Sequence, residues 1–165
     1  MPKLEMIFDY ICPFCRRGYA HLEELLPNYP DLEVEWIPCE ANPRPAEGSH
    51  SDLCSKALFF ALEQEVDLHE FHSRMYRAIH TDRVAYEDPN AIADIADGLL
   101  DREALLAALS NEAYEDRLTE NNRLAWEVYD LNALPSFRMN GELLKAKLRI
   151  GVSKEDLAAF IDAHS

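Results

Sequence analysis

The stretch FDYICPFCRRGYAHLEEL, Phe8 to Leu25, lies between two strand-like runs and restricts the fold more than any other part of the chain. Before it, Leu4 to Tyr10 is largely apolar, as expected of a strand buried on both faces. Cys12-Pro13 then opens a helix, because proline lacks only an N–H that would have no partner in the first helical turn. Apolar residues at Phe14, Tyr19, Leu22, Leu25 and Leu26 keep helical spacing until Pro27 stops the run. LEVEWIP alternates Leu32, Val34 and Trp36 with Glu33 and Glu35, which predicts a second strand. A strand–helix–strand unit of this kind pairs its strands in parallel through a right-handed crossover.

Beyond the polar connector CEANPRPAEGSH the strand signals stop. Ser51–Glu65, Asp67 to about His80, Asp88 to about Asp97 and Asp101–Leu109 read as helices, each opened by a Ser or Asp suited to an N-cap. A longer helix is predicted from about Asn111 to Leu131, with Tyr114, Leu118, Leu124, Ala125 and Val128 on its apolar side. Strands return at LPSFRM and ELLKA, joined by Asn140-Gly141, the strongest two-residue hairpin signal. Ser153-Lys154-Glu155-Asp156 resembles a capping box and opens a last helix with Leu157, Phe160 and Ile161 as its stripe. Removing the inserted helices leaves βαβ-α-ββ-α, the thioredoxin-like layout of an α/β protein. The expected organisation is a thioredoxin-like domain over 1–45 and 111–165, interrupted by a helical insertion over 46–110.

The chain has 165 residues, 48% of them hydrophobic, enough for one core. Its formal net charge of −15 argues against nucleic acid and anionic membranes as partners, since both require clustered lysine and arginine. No apolar run is long enough to span a bilayer. The N-terminus carries neither an h-region nor a small-residue cleavage site and reads as a strand from the outset. The expected location is therefore cytoplasmic, where paired cysteines are more often catalytic or metal-binding than structural.

Of the four cysteines, Cys12 and Cys15 form a C-x-x-C at the strand-to-helix turn, and Cys39 and Cys54 fall in separate elements. With Pro13 as the first helical residue, Cys12 is the N-cap and its sulfur faces the free N–H groups of Phe14 and Cys15. Those donors and the positive end of the helix dipole favour the thiolate, so the Cys12 pKa should fall. Cys15, one turn on and buried, should remain a thiol. An exposed nucleophile backed by a resolving thiol is what disulfide exchange needs. Arg16 and Arg17 either add positive potential or are simply solvated. A structural metal would require four ligands, usually with a second close cysteine pair, and none is present. No metal and no organic cofactor is expected.

DYICPFC resembles the D-x-x-C-P-x-C of cytoplasmic DsbA-like oxidoreductases, the FrnE-like branch that includes 2-hydroxychromene-2-carboxylate isomerases. EWIPCEANP is similar to that family's segment after the second strand, FHSRMYRAIHTDRVAYEDPNAIADIADGLLDREALLAAL to its helical insertion, and ALPSFRMNG to its GVPTF…NG segment. The resemblance implies a thioredoxin-like fold with a helical lid, disulfide oxidoreductase activity, and a cis bond between Leu134 and Pro135 opposite the cysteines. It implies Cys12 as nucleophile, Cys15 as resolving thiol and Pro135 beside them. Pro13, Phe14 and Leu134 are the expected substrate contacts, Leu134 through its backbone, in the manner of an added strand. Ala133 stands where the family usually has glycine, which predicts a stiffer loop. The Pro-Phe dipeptide lacks the histidine of strongly oxidising DsbA and predicts an intermediate potential. Relatives that act as glutathione-dependent isomerases or transferases usually carry serine at the nucleophile position, so two cysteines argue against that role.

Asp9, three residues before Cys12, is a candidate acceptor for the Cys15 proton; alternatively it caps nearby amides. Cys39 and Cys54 are a possible second redox pair, though buried cysteine is commonly inert. His69, His72 and His80 share a helix and read as a polar face, and Phe59, Phe60, Phe71, Met75 and Tyr76 as mostly core. The expected function is thiol–disulfide exchange on protein or small-molecule thiols and disulfides, with glutathione or a thioredoxin system restoring the redox state, in a monomer or homodimer. A glutathione-dependent isomerase or transferase, and a redox-inactive binding or chaperone module, are the alternatives.

Overall fold

The computed structural model describes residues 2–41 and 50–165. The polar connector and the expected 45/46 domain boundary fall mostly or wholly within 42–49, outside the described residues. Strands β1 (Lys3–Phe8), β2 (Glu33–Pro38), β3 (Ser136–Met139) and β4 (Glu142–Leu144) form one sheet in the order β2-β1-β3-β4. β1 and β2 run parallel, from Lys3 opposite Glu33 to Phe8 opposite Pro38, and β3 is antiparallel to both β1 and β4. The central position of β1 explains its apolar sequence: Leu4, Met6, Ile7 and Phe8 are all buried. Edge strand β2 instead presents Glu33 and Glu35, which meet Lys3 at 3.9 and 3.6 Å. Charge on an edge discourages pairing with another chain.

Helix α1 (Pro13–Leu25) buries Cys15, Gly18, Tyr19, Leu22 and Leu25, a 3–4 spaced stripe, and Pro27 lies in a closing 3₁₀ turn, Leu26–Asn28. Among the described residues between β2 and position 110 lie four helices: α2 (Asp52–Glu63), α3 (Leu68–His80), α4 (Pro89–Ile95) and α5 (Arg102–Ala108). Asp67, Asp88 and Asp101 cap α3, α4 and α5 by accepting backbone N–H bonds. Ser51 does not cap α2; its hydroxyl is buried instead.

The long helix expected from Asn111 to Leu131 is divided. α6 (Glu112–Arg123) passes into a π turn over Leu124–Val128, closed by Tyr129 N–H donating to the Leu124 carbonyl at 2.8 Å. The widened turn leaves Val128 half exposed, off the apolar side expected of it. At the β3–β4 hairpin Asn140 and Gly141 have φ of 51° and 82°, the left-handed pair a type I′ turn requires. In α7 (Lys154–His164), Ser153 caps by accepting from Asp156 N–H. Without the four inserted helices the order is βαβ-α-ββ-α, as expected.

The first and last thirds of the chain meet where α1 crosses the Leu134-Pro135 loop. A Cβ on Gly18 would lie 2.6 Å from Cγ of Pro135, so only glycine permits this approach. Sequence reasoning missed this position, since glycine inside a helix looks like a mild defect. Gly18→Ala should lower the urea midpoint, costing about 1–3 kcal/mol by overpacking despite alanine's better helix propensity. An unchanged or higher midpoint would show that the ring yields freely.

Candidate active site

The turn between β1 and α1 carries the expected pair. Cys12 is the N-cap residue of α1, with extended backbone (φ −86°, ψ 120°), and is half-buried, whereas Cys15 is fully buried. As a neutral thiol Cys12 caps no amide; its Sγ points to the Leu134 carbonyl at 3.8 Å, a weak contact. The charged form is better held. A hydrogen bond from the Cys15 thiol is the largest influence, and with the N–H groups of Cys15 and Phe14 it lowers Cys12 to about 7, against burial and the Asp9 charge. Burial pushes the Cys15 thiol well up. One thiol of the pair is thus poised to ionise near neutral pH and the other is held protonated. All four cysteines are free.

Asp9 lies directly beneath the pair and is 1% exposed. Its Oδ1 accepts from Ile11 N–H at 3.1 Å and its Oδ2 from Ala41 N–H at 2.8 Å. Its own backbone N–H donates to Cys15 Sγ at 3.4 Å. Burial raises the carboxyl to about 6 in spite of these two amides. The nearby Ser51 hydroxyl also favours the carboxylate, yet it has no partner within hydrogen-bonding geometry among the described residues. Each carboxylate oxygen accepts one amide here and retains a second lone pair. Asp9 therefore caps amides and also stands within electrostatic reach of Cys12 and Cys15.

Cys39 follows β2 at the same end of the sheet, its N–H donating to the Phe8 carbonyl at 2.8 Å, and Cys54 lies in α2. Both are fully buried, and burial, then the Asp9 charge, raises both thiols well above their ordinary value. As the structure stands, neither is a ready nucleophile. Among the described residues no group of His, Cys, Asp or Glu is arranged to hold a metal.

The Leu134-Pro135 peptide is cis. Ser136 holds this loop, donating to the Ala133 carbonyl at 3.1 Å and accepting from Ala146 N–H at 2.9 Å. Leu134 buries its side chain and turns its carbonyl to Cys12. Pro13 is exposed and Phe14 half-buried; Gly151 packs behind Phe14, beside the exposed apolar Leu148 and Ile150. The end of α6 braces the opposite wall. Asn121 donates to the Pro38 carbonyl at 2.9 Å, Trp126 Nε1 to the Glu40 carbonyl at 2.9 Å, and Asn122 accepts from Glu40 N–H at 2.7 Å. These anchors hold the chain after β2 against Asp9. No local signal marks them, because each acts across more than 80 residues.

Behind the site, α3 does not present the uniform polar face expected of its histidines. His72 is 1% exposed, sharing a 2.7 Å hydrogen bond between Nδ1 and the Tyr10 hydroxyl and packing on Trp36 at 4.2 Å between ring centres. Burial lowers its pKa to about 3, so it is neutral. His69 is exposed, and half-buried His80 donates from Nε2 to the Tyr10 carbonyl at 2.7 Å. Phe59, Phe71, Met75 and Tyr76 are buried and Phe60 partly so.

A family model of DSBA-like thioredoxin domains matches residues 3–158. YwbO, an uncharacterised protein of Bacillus subtilis, is 25% identical over 171 residues, covering 81% of this chain and 84% of its own. Among solved structures, a thioredoxin-like oxidoreductase from Silicibacter pomeroyi superposes with a TM-score of 0.71 at 21% identity, covering 98% of this chain and 85% of that one. Pseudomonas aeruginosa DsbA superposes with a TM-score of 0.68 at 23% identity, covering 98% and 80%. At these identities the structural likeness speaks to the fold.

Two outcomes test the electrostatics. Iodoacetamide should alkylate Cys12 alone in the native reduced protein, with a rate that rises through a midpoint near pH 7; reaction at Cys15, Cys39 or Cys54 at a similar rate would contradict the burial described. The Asp9 carboxyl is raised on folding, so its contribution to stability is full below its unfolded pKa and is lost as the pH rises through about 6. In urea unfolding, Asp9→Asn should therefore gain on the wild type by on the order of 3 kcal/mol between pH 4 and pH 8, whatever constant offset the lost hydrogen bonds introduce. A difference independent of pH would mean that Asp9 is solvated.

Proposed function

Because the chain belongs to the DsbA-like thioredoxin domain family, we propose that it is a thiol–disulfide oxidoreductase working through Cys12 and Cys15. The observation that carries this reading is the asymmetry of the pair: Cys12 is lowered to about 7 at the helix start while Cys15 is buried and raised. In the oxidising direction toward the protein, the Cys12 thiolate attacks one sulfur of a substrate disulfide and the other substrate sulfur leaves as a thiolate. Cys15 then loses its proton and attacks Cys12 Sγ, releasing the second substrate sulfur. The protein dithiol becomes a disulfide and the substrate disulfide becomes two thiols. Run backwards, the same steps oxidise a substrate.

Asp9 has two parts in this scheme. Its backbone N–H stabilises the Cys15 thiolate as it forms, and its carboxylate, with spare lone pairs in the same pocket, takes up the proton. The Leu134 carbonyl aligns an extended substrate segment beside Cys12, with Pro135, Pro13 and Phe14 around it. The D-x-x-C-P-x-C pattern supports assignment to the FrnE-like branch. Its partners are protein or small-molecule thiols and disulfides, it requires no organic cofactor, and glutathione or a thioredoxin system resets it in the cytoplasm. The charge of −15 supports neither nucleic acid nor anionic lipid as a partner. Among the described residues no helix is long and apolar enough to cross a membrane.

A Cys12 pKa near 7 resembles that of thioredoxin, whereas strongly oxidising DsbA lies near 3.5. Titration in glutathione buffers with mass-spectrometric mapping should find a Cys12–Cys15 disulfide with a midpoint between about −270 and −200 mV. Cys15→Ser should accumulate a mixed disulfide on Cys12. If the pair never forms a disulfide, the exchange reading is wrong, and binding of glutathione without exchange would then favour the isomerase or transferase reading.

A further inference from the structure

Helices α1 and α3 run antiparallel beside the active-site turn and leave a groove of about 340 Å³ between them. Their direction follows from contacts at the two ends. Arg16 donates to Thr81 Oγ1 at 3.1 Å just past the end of α3, and His69 meets Glu23 at 2.7 Å at its start. Tyr19 and Tyr76, their rings 5.3 Å apart, form the floor, and Ser73 lines the middle. The groove is therefore polarised. Its end nearer Cys12 carries Arg16 and Arg77, and its far end carries Glu23 paired with His69.

The positive end is only partly neutralised. Arg16 is exposed and donates to a hydroxyl, and Arg77 is exposed and meets Asp82 only at 3.9 Å. His80 lies beside Arg16 and contributes no negative charge. Two guanidinium groups line one groove, Arg77 in a long exposed pair with Asp82 and Arg16 without a carboxylate partner among the described residues, in a chain of net charge −15. Arg16 N–H donates to the Cys12 carbonyl at 3.2 Å, so Arg16 stands one helical turn, about 6 Å along the axis, from the reactive cysteine.

We infer that this groove binds a low-molecular-weight thiol or disulfide bearing a carboxylate, held by Arg16 and Arg77 while its sulfur reaches Cys12. The inference rests on the exchange reading above and names the substrate class for it. A volume of about 340 Å³ lies at the small end of ligand sites, which suits a molecule of this size better than a folded protein segment. Guanidinium forks bind carboxylates in defined geometry, and the far end, where Glu23 is paired with His69, offers no guanidinium, so the ligand enters in one direction. Each turnover transfers two electrons: one disulfide forms between Cys12 and Cys15, one breaks in the ligand, and two ligand thiols leave with the protons.

The test oxidises the full-length reduced protein with three small disulfides of similar size, the anionic dithiodipropionate, the neutral hydroxyethyl disulfide and the cationic cystamine. Rates are normalised to the reaction of each with free dithiothreitol. The wild type should favour dithiodipropionate over hydroxyethyl disulfide, and Arg16→Gln/Arg77→Gln should reduce that preference by about five-fold, the scale of partly exposed ion pairs. Cystamine should be the poorest substrate of the wild type and lose that handicap in the variant. Charge preferences identical in wild type and variant, or a preference shown only by a long acidic peptide disulfide, would overturn the subsite and leave exchange standing. No reaction of wild type with any of the three would instead refute exchange, and the subsite with it.

Discussion

Pro135 rests against Gly18, and without that contact there would be two half-sites. Cys12 and Cys15 belong to the first strand–helix unit, and the Leu134 carbonyl to a loop more than a hundred residues later. A side chain of any size at position 18 would hold the two apart, because the ring is rigid and the helix backbone lies directly beneath it. The bridge from Ala133 through Ser136 to Ala146 then fixes the loop in depth. The Leu134 carbonyl and the Cys12 sulfur thus share one position, set by packing and completed by a few hydrogen bonds.

Burial divides the labour among four chemically identical thiols. Cys15, Cys39 and Cys54 are sealed in the core, where a thiolate would lose its hydration. Cys12 alone combines access with helix-end donors and a hydrogen bond from its neighbour. Asp9 adds a negative charge within reach of all four, which further discourages ionisation of the other three and moderates that of Cys12. The result favours moderate reactivity over extreme acidity.

The inserted helices serve as more than a cover. α3 supplies His72 and Tyr76 to an aromatic cluster with Tyr10, Tyr19 and Trp36, which backs the active-site helix with stiff rings. The same helix turns Arg77 and Ser73 toward α1, so that one element both supports α1 and lines the groove beside it. The π turn at the end of α6 has a comparable double use: it closes a helix and delivers Trp126 to the backbone that shields Asp9.

Much of this protein is legible in one dimension, because local rules suffice for it. Alternation and apolar runs place the strands, Asp, Asn and Ser before helical stretches place the caps, Asn-Gly places the hairpin, and C-P-x-C at a strand–helix junction places an accessible thiol at a helix start. What tertiary structure alone decided are the properties that depend on neighbours distant in sequence. Val128 left the apolar face because a π turn interrupts the helical period. His72 sank into the core because Tyr10 offers it a hydrogen bond there. Ser51 gave up its cap for a place near Asp9, and Gly18 became indispensable only when Pro135 arrived above it. The burial of Asp9, which raises its carboxyl to about 6 beneath the cysteine pair, follows from long-range packing, which no spacing rule encodes.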